Sequence, residues 1–160
     1  MNKNHLSVLG VGPIYVAIIV MTTIFIVLLQ LNHIIPTYKI PVDFLAIIIG
    51  IVFIVIGIVL WINAVVFSKL TSKIKSNTLV TSGVFSYVRN PIYSAFMFIC
   101  TGIIVSLNNI LLFFVPILYW ILLTILLINT EEKWLRNLYK QDYETYCNKV
   151  NRCIPMIRKS

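Results

Sequence analysis

The chain has 160 residues, 59% hydrophobic and only 11% charged, with a mean hydropathy of +0.95. A water-soluble domain carries about 25% charged residues, so the composition excludes a soluble globule and sets the chain as a single integral membrane domain over residues 1–160. The formal net charge of +8 does not point to nucleic acid, because the basic residues flank apolar runs and form no separate basic face with interleaved aromatics.

Four apolar runs follow one another, each near the roughly 20 residues that cross a bilayer core of about 30 Å. The first covers about 14–31 and is opened by Gly12-Pro13. It is too long for a signal h-region and has no small-residue cleavage site, so no cleavable signal is expected. The second covers about 42–67, opened by Pro41. The third, about 91–107, is the shortest, and the fourth covers about 110–128. Asn108-Asn109 predicts a tight turn that makes the last two runs an antiparallel hairpin. Pro116, inside the fourth run, predicts a kink. After it, Trp134, Leu135, Leu138, Tyr139, Tyr146, Cys147 and Val150 recur at helical spacing, which predicts an amphipathic helix over 131–150. This helix either continues from the fourth span or lies along the interface. The fold class is therefore an all-α integral membrane protein of about four transmembrane helices, with a long loop and an amphipathic C-terminal helix.

Orientation follows from charge. With four spans, Lys3, the loop residues Lys69, Lys73, Lys75 and Arg89, and the seven basic residues of the tail share one side, leaving only Lys39 opposite. Positive flanks stay in the cytosol, so both termini, the loop and any site built from them are expected on the cytosolic face. Cys100, Cys147 and Cys153 are odd in number, and no disulfide framework is expected. With only His5 and His33 and no zinc-type Cys/His spacing, no metal is expected either.

Two polar clusters sit at the mouths of apolar helices. In the first, Thr78-Leu79-Val80-Thr81-Ser82-Gly83 reads as a short extended stretch ending in a glycine turn, followed by Phe85, Tyr87, Arg89 and Asn90-Pro91. Asn90-Pro91 is a helix-start signal: Asn caps and Pro suits the first helical position. The dipole and unpaired N–H groups of that start, with Arg89 beside it, suit an anion. A plain capped helix with an arginine snorkelling to headgroups would use the same residues. The second cluster is Glu131-Glu132. Four of the five acidic residues (Glu131, Glu132, Asp142 and Glu144) lie in this tail. Carboxylates are not needed there for topology, and suit a ribose diol, an ammonium or a sulfonium group. Pairing with Lys133 or Arg136 is the plainer alternative.

The run TLVTSGVFSYVRNPIY over 78–93 resembles the signature of isoprenylcysteine carboxyl methyltransferases, TLVTSG then an aromatic and R-H-P-x-Y. The acidic pair with Leu135, then Tyr143, Tyr146, Val150 and Pro155, is similar to that family's E-E-x-x-L, Y-x-x-Y and V-x-x-x-x-P pattern. The resemblance covers about 77–157, half the chain, and the wider group includes phospholipid N-methyltransferases. It implies a membrane methyltransferase that uses S-adenosylmethionine from the cytosolic side. By position it implies cofactor contacts at Asn77, Thr78, Leu79, Val80, Phe85, Asn90, Pro91, Ile92, Tyr93 and Glu131. Arg89 would meet the cofactor's carboxylate, Phe85 its adenine, and Glu131 a ribose hydroxyl or the amino group. The chain departs from the pattern twice. Asn90 stands where the family has His, and it cannot act as a base near neutral pH. Leu127 stands where the prenylcysteine enzymes have an Arg, and no Arg occurs over 110–130.

Methyl transfer is an in-line displacement that needs alignment and exclusion of water more than acid–base chemistry. Arg89, Tyr93 and Glu132 are the candidate catalytic residues, with Tyr93 or Glu132 assisting if the acceptor is an ammonium that must lose a proton. The acceptor is expected to be lipophilic and to enter from the bilayer: an isoprenylated cysteine carboxylate, a phospholipid amine or a similar small molecule. The competing reading is a non-catalytic membrane scaffold or lipid-binding protein. Transport is weaker, because the cores of the four runs contain no ionisable residue of the kind a coupled carrier uses.

Overall fold

A computed structural model describes residues 12–41, 43–67 and 78–156. Lys3, Lys69, Lys73, Lys75, Asn77, Arg158 and Lys159, used above for topology or for the cofactor, lie outside the described residues. The elements, in order, are α1 (Gly12–Leu31), α2 (Asp43–Ile62, continued by a π-turn, Asn63–Phe67), α3 (Pro91–Ser106), α4 (Val115–Asn129) and α5 (Glu131–Lys149). The described residues contain no β-strand, only an isolated parallel bridge between Val88 and Asn151.

Three helical segments are long and apolar enough to cross a membrane: Gly12–Leu31, Asp43–Val66 and Ile110–Asn129. α3 has 16 residues, about 24 Å of helix against a hydrocarbon core of roughly 30 Å. It is the central helix, packed against α1, α2 and α4. Pro91, Ser94, Ala95, Met97, Cys100, Thr101, Gly102 and Ile104 are buried along it, whereas most apolar side chains of α1 and α2 face outward.

Helices in lipid gain little from burying apolar surface and associate instead through close packing of small residues. The α2–α3 crossing follows this rule. A Cβ on Gly50 would stand 2.6 Å from the Gly102 carbonyl oxygen, and one on Gly57 2.6 Å from that of Ala95. The two pairs are seven residues apart on each helix and run in opposite directions, so they mark one antiparallel seam. Phe53 and Phe98 stack beside it with ring centroids 5.7 Å apart. On the other side of α3, Tyr15 of α1 donates to the Tyr119 carbonyl (3.3 Å) and Thr23 shares a hydrogen bond with the Tyr119 hydroxyl (2.9 Å).

Asn108 and Asn109 form the expected turn, and both are buried. Asn108 takes a positive φ of 46° and donates to the Ile40 carbonyl (2.8 Å). Asn109 accepts from Leu111 N–H and donates to Gln30 (2.8 Å) and to the Pro36 carbonyl (3.0 Å). The turn thus anchors the α1–α2 connection as well as reversing the chain.

Two expectations are corrected. Pro116 does not kink a helix. The fourth run splits into a 3-10 turn, Ile110–Leu112, and α4, and Pro116 falls in the first turn of α4, where its missing N–H costs nothing. The tail helix is interrupted at Lys140 (φ 45°, ψ −120°), a conformation L-residues rarely adopt. α5 also starts afresh at Thr130 (φ −125°, ψ −86°) and does not continue α4.

Gly102→Leu forces side-chain atoms into the seam, and overpacking of this kind costs about 1–3 kcal/mol. Thermal unfolding in lipid nanodiscs should show the loss, while Ile51→Leu on the outward face leaves the midpoint unchanged.

Candidate functional site

The site lies where the start of α3, the start of α5 and the chain after α5 converge. Residues 78–82 are irregular, and Gly83, at φ +66°, turns them into a 3-10 turn, Gly83–Ser86. This is the glycine turn expected of the sequence, and Gly, lacking a Cβ, adopts that φ without strain. Thr78 is exposed, Leu79 half-buried and Val80 buried, and Leu79 packs with Tyr143, Tyr146 and Val150. Phe85 is buried, and its carbonyl accepts from the Tyr146 hydroxyl (2.6 Å).

α3 begins at Pro91 as the sequence suggests, but Asn90 does not cap it by side chain. Its Nδ2 donates instead to the Arg152 carbonyl (3.1 Å), as does its backbone N–H (3.2 Å). Arg89 N–H donates to the Asn151 carbonyl (2.9 Å), and Met156 N–H to that of Tyr87 (3.1 Å). Residues 150–156 therefore run alongside 87–90 and accept the N–H groups of Arg89 and Asn90 just before the helix, leaving those of its first turn to other partners.

The charged centre is Glu132. Its side chain is 3% exposed and lies between two guanidinium groups. Arg152 grips it with a fork, Nε to Oε1 at 2.5 Å and Nη2 to Oε2 at 3.0 Å. Arg89, 8% exposed, stands with Nη2 3.3 Å from Oε1. Arg89 also donates to Cys147 Sγ and lies over the Tyr143 ring, 6.0 Å from its centroid. A buried carboxylate is tolerated only with such partners, and its place in the first turn of α5 adds the favourable end of the helix dipole. Two cations and one anion leave the cluster at net +1.

The hydrogen bonds that the Arg152 guanidinium donates to Glu132 raise it above its ordinary value. Burial pushes the Tyr143 and Tyr146 phenols up, so neither exchanges protons near neutrality. Burial likewise pushes the Cys153 thiol up to about 12.

Beside this cluster the Tyr93 hydroxyl donates to Glu131 Oε1 at 2.8 Å, and the Tyr93 ring packs against the start of α1, where a Cβ on Gly12 would collide with it. Pro91 is buried and Ile92 half-buried in the same turn. Arg89 Nε and Ser94 Oγ are buried at this helix start and have no hydrogen-bond partner among the described residues.

The fold thus brings together Arg89 with Glu132 and Tyr93 with Glu131, across the start of α3. Leu127 points into the helical core at 1% exposure, among residues such as Tyr15 and Leu123. Sequence reasoning missed the structural parts of Arg152 and Cys147. Both carried only generic signals, a charge in a basic tail and an apolar position on a helix face.

The fold and site are those of a helical membrane protein with a buried ionic cluster and a polar pair at the start of its central helix. A family model described as phospholipid methyltransferase matches residues 44–142, more than half of the chain. The chain belongs to the phospholipid methyltransferase family and is a membrane methyltransferase, in a family whose members generally use S-adenosylmethionine. The match spans α2 to the middle of α5 and so includes Arg89, Tyr93, Glu131 and Glu132. No curated protein and no solved structure matches the chain.

Glu132→Ala leaves the buried Arg89 guanidinium and the half-buried Arg152 guanidinium without their anion. A loss of about 3–5 kcal/mol is expected, larger than for Glu131→Ala, measurable by thermal unfolding in nanodiscs. A second outcome follows from Cys153. An unfolded thiol ionises near pH 8.5, and the folded one only near 12. The contribution of the neutral buried thiol is therefore complete below about pH 8.5 and is lost as pH rises toward 12. At pH 8, mass spectrometry of maleimide-treated protein should find half-buried Cys147 modified and Cys153 untouched until the protein is denatured.

Proposed function

We propose that the protein transfers a methyl group from S-adenosylmethionine to an amine of a membrane lipid, at a site on the cytosolic face. The observation that carries the reading is the meeting of the two polar clusters, Arg89 with Glu132 and Tyr93 with Glu131, at the start of the central helix of a phospholipid methyltransferase fold. In this reading α3 is a fourth, buried span, and the basic loop and tail keep both termini in the cytosol.

The cofactor-holding residues are Asn77, Thr78, Leu79, Val80, Phe85, Asn90, Pro91, Ile92, Tyr93 and Glu131. The orphaned Arg89 Nε and Ser94 Oγ, with the first-turn N–H groups of α3, suit a ligand that carries a carboxylate. S-adenosylmethionine, when bound there, supplies an electrophilic methyl carbon on a sulfonium. Arg89 and Glu132 act by holding the start of α3 against the start of α5, so that alignment survives thermal motion. Tyr93 and Glu131 face the acceptor. Glu131 accepts the Tyr93 proton in a hydrogen bond, and the pair can take up a proton from an ammonium before it attacks.

An isoprenylated cysteine carboxylate is less well served as acceptor. The motif over 78–93 favours it, but the position of that family's carboxylate-binding Arg is Leu127, whose side chain is buried in the helical core.

The test is methyl transfer from labelled S-adenosylmethionine in nanodiscs containing phosphatidylethanolamine, with an S-farnesylcysteine derivative as the rival acceptor. Labelling of the phospholipid is expected, falling by about 10²-fold or more in Glu131→Gln, within the range for loss of a positioned acid–base group. Labelling of the farnesylcysteine alone would reverse the choice of acceptor, and labelling of neither would favour a non-catalytic scaffold.

A further inference from the structure

We propose that Arg152 is a positioning residue: it ties the start of α3 to the start of α5 and so sets the geometry of the cofactor site. The inference rests on the methyltransferase reading and adds to it a residue beyond the 44–142 stretch that the family defines.

Arg152 makes two kinds of bond in two directions. Through its side chain it forks onto both oxygens of Glu132, on α5. Through its carbonyl it accepts both the backbone N–H and the side-chain Nδ2 of Asn90, the residue before α3. One residue thus spans the two polar clusters. The neighbouring bonds repeat the pattern: Arg89 N–H to the Asn151 carbonyl and Met156 N–H to the Tyr87 carbonyl. Residues 150–156 act as a strap over the helix start, and the fork on Glu132 fixes the register of the strap.

The chemistry requires arginine. A bidentate guanidinium–carboxylate pair fixes angle as well as distance, whereas an ammonium is a point charge that fixes only distance. Arg89 would still neutralise Glu132 if Arg152 were lost, so the fold survives while the orientation of the strap does not. Asn90, placed in the cofactor site above, is bonded to the strap, and Pro91 and Tyr93 follow it in the first turn of α3. Cys153, buried next to Arg152 at 0% exposure, anchors its far side in the core.

The experiment uses full-length protein in nanodiscs and compares wild type, Arg152→Gln and Arg152→Lys by hydrogen exchange and by calorimetric titration with S-adenosylhomocysteine. Among the described residues, the amides of Arg89 and Asn90 donate to acceptors on the strap. In Arg152→Gln, peptides covering 84–94 should exchange at least about tenfold faster, α1 and α2 should be unchanged, and affinity should fall by about tenfold, the loss of one charge-assisted interaction. Arg152→Lys should recover part of both, and carries the same test if Arg152→Gln does not fold. Unchanged exchange and affinity would overturn the proposal. Faster exchange with unchanged affinity would make the strap a stabilising element only, which also overturns it. If wild type does not bind S-adenosylhomocysteine, the methyltransferase reading fails and the positioning role with it, even where the exchange data still report a strap.

Discussion

A carboxylate buried at the mouth of a membrane helix must be held by cations, and Glu132 is held by two. Arg89 approaches from the start of α3 and Arg152 from the chain after α5. Removal of the pairing would leave a buried ion that costs several kcal/mol, so three parts of the chain, distant in sequence, are committed to one place. The rest of the site follows from that commitment. The segment after α5 lies along 87–90, Asn90 bonds outward to it instead of capping its own helix, and Tyr93 comes within hydrogen-bond reach of Glu131. The ionic cluster is a frame, and in the proposed reaction the Tyr93–Glu131 pair beside it faces the acceptor.

The frame needs a rigid support, which α3 supplies. It has 16 residues and is the most enclosed of the apolar helices. Glycines at 50, 57 and 102 bring α2 close enough for backbone to touch backbone, and shared hydrogen bonds among Tyr15, Thr23 and Tyr119 close α1 against α4 on its far side. At the opposite end, Asn108 and Asn109 pin the α1–α2 connection. A helix so held cannot slide along its axis, and its N-terminus keeps a fixed depth. A transfer reaction that relies on alignment more than on acid–base groups depends on such fixity.

Much of this was legible in the sequence because membrane signals are strong. Apolar runs gave the helices, Asn90-Pro91 the start of α3, Gly83 the turn before it, and Asn108-Asn109 the reversal. The failures share a cause. Pro116 sits in a first turn because residues 110–114 form a 3-10 turn and connection, and nothing in an all-apolar run signals where a helix begins. The break at Lys140 interrupts a continuous helical pattern, and Tyr143 and Tyr146 beyond it pack against Leu79 of the loop. The partner of Glu132 was unreadable for a similar reason. Lys133 and Arg136 are neighbours in sequence, but Arg89 and Arg152 are neighbours only after folding. The motif over 78–93 by itself points to a methyltransferase. The family match bears that out at the level of membrane methyltransferases without reaching the isoprenylcysteine branch.

The central claim is that the clamped start of α3 forms a site for the methyl donor. Calorimetric titration of wild-type protein in nanodiscs with S-adenosylhomocysteine tests it most directly. Micromolar binding with one site per chain is the predicted result. Absence of binding, in protein whose thermal unfolding shows it to be folded, would contradict the account.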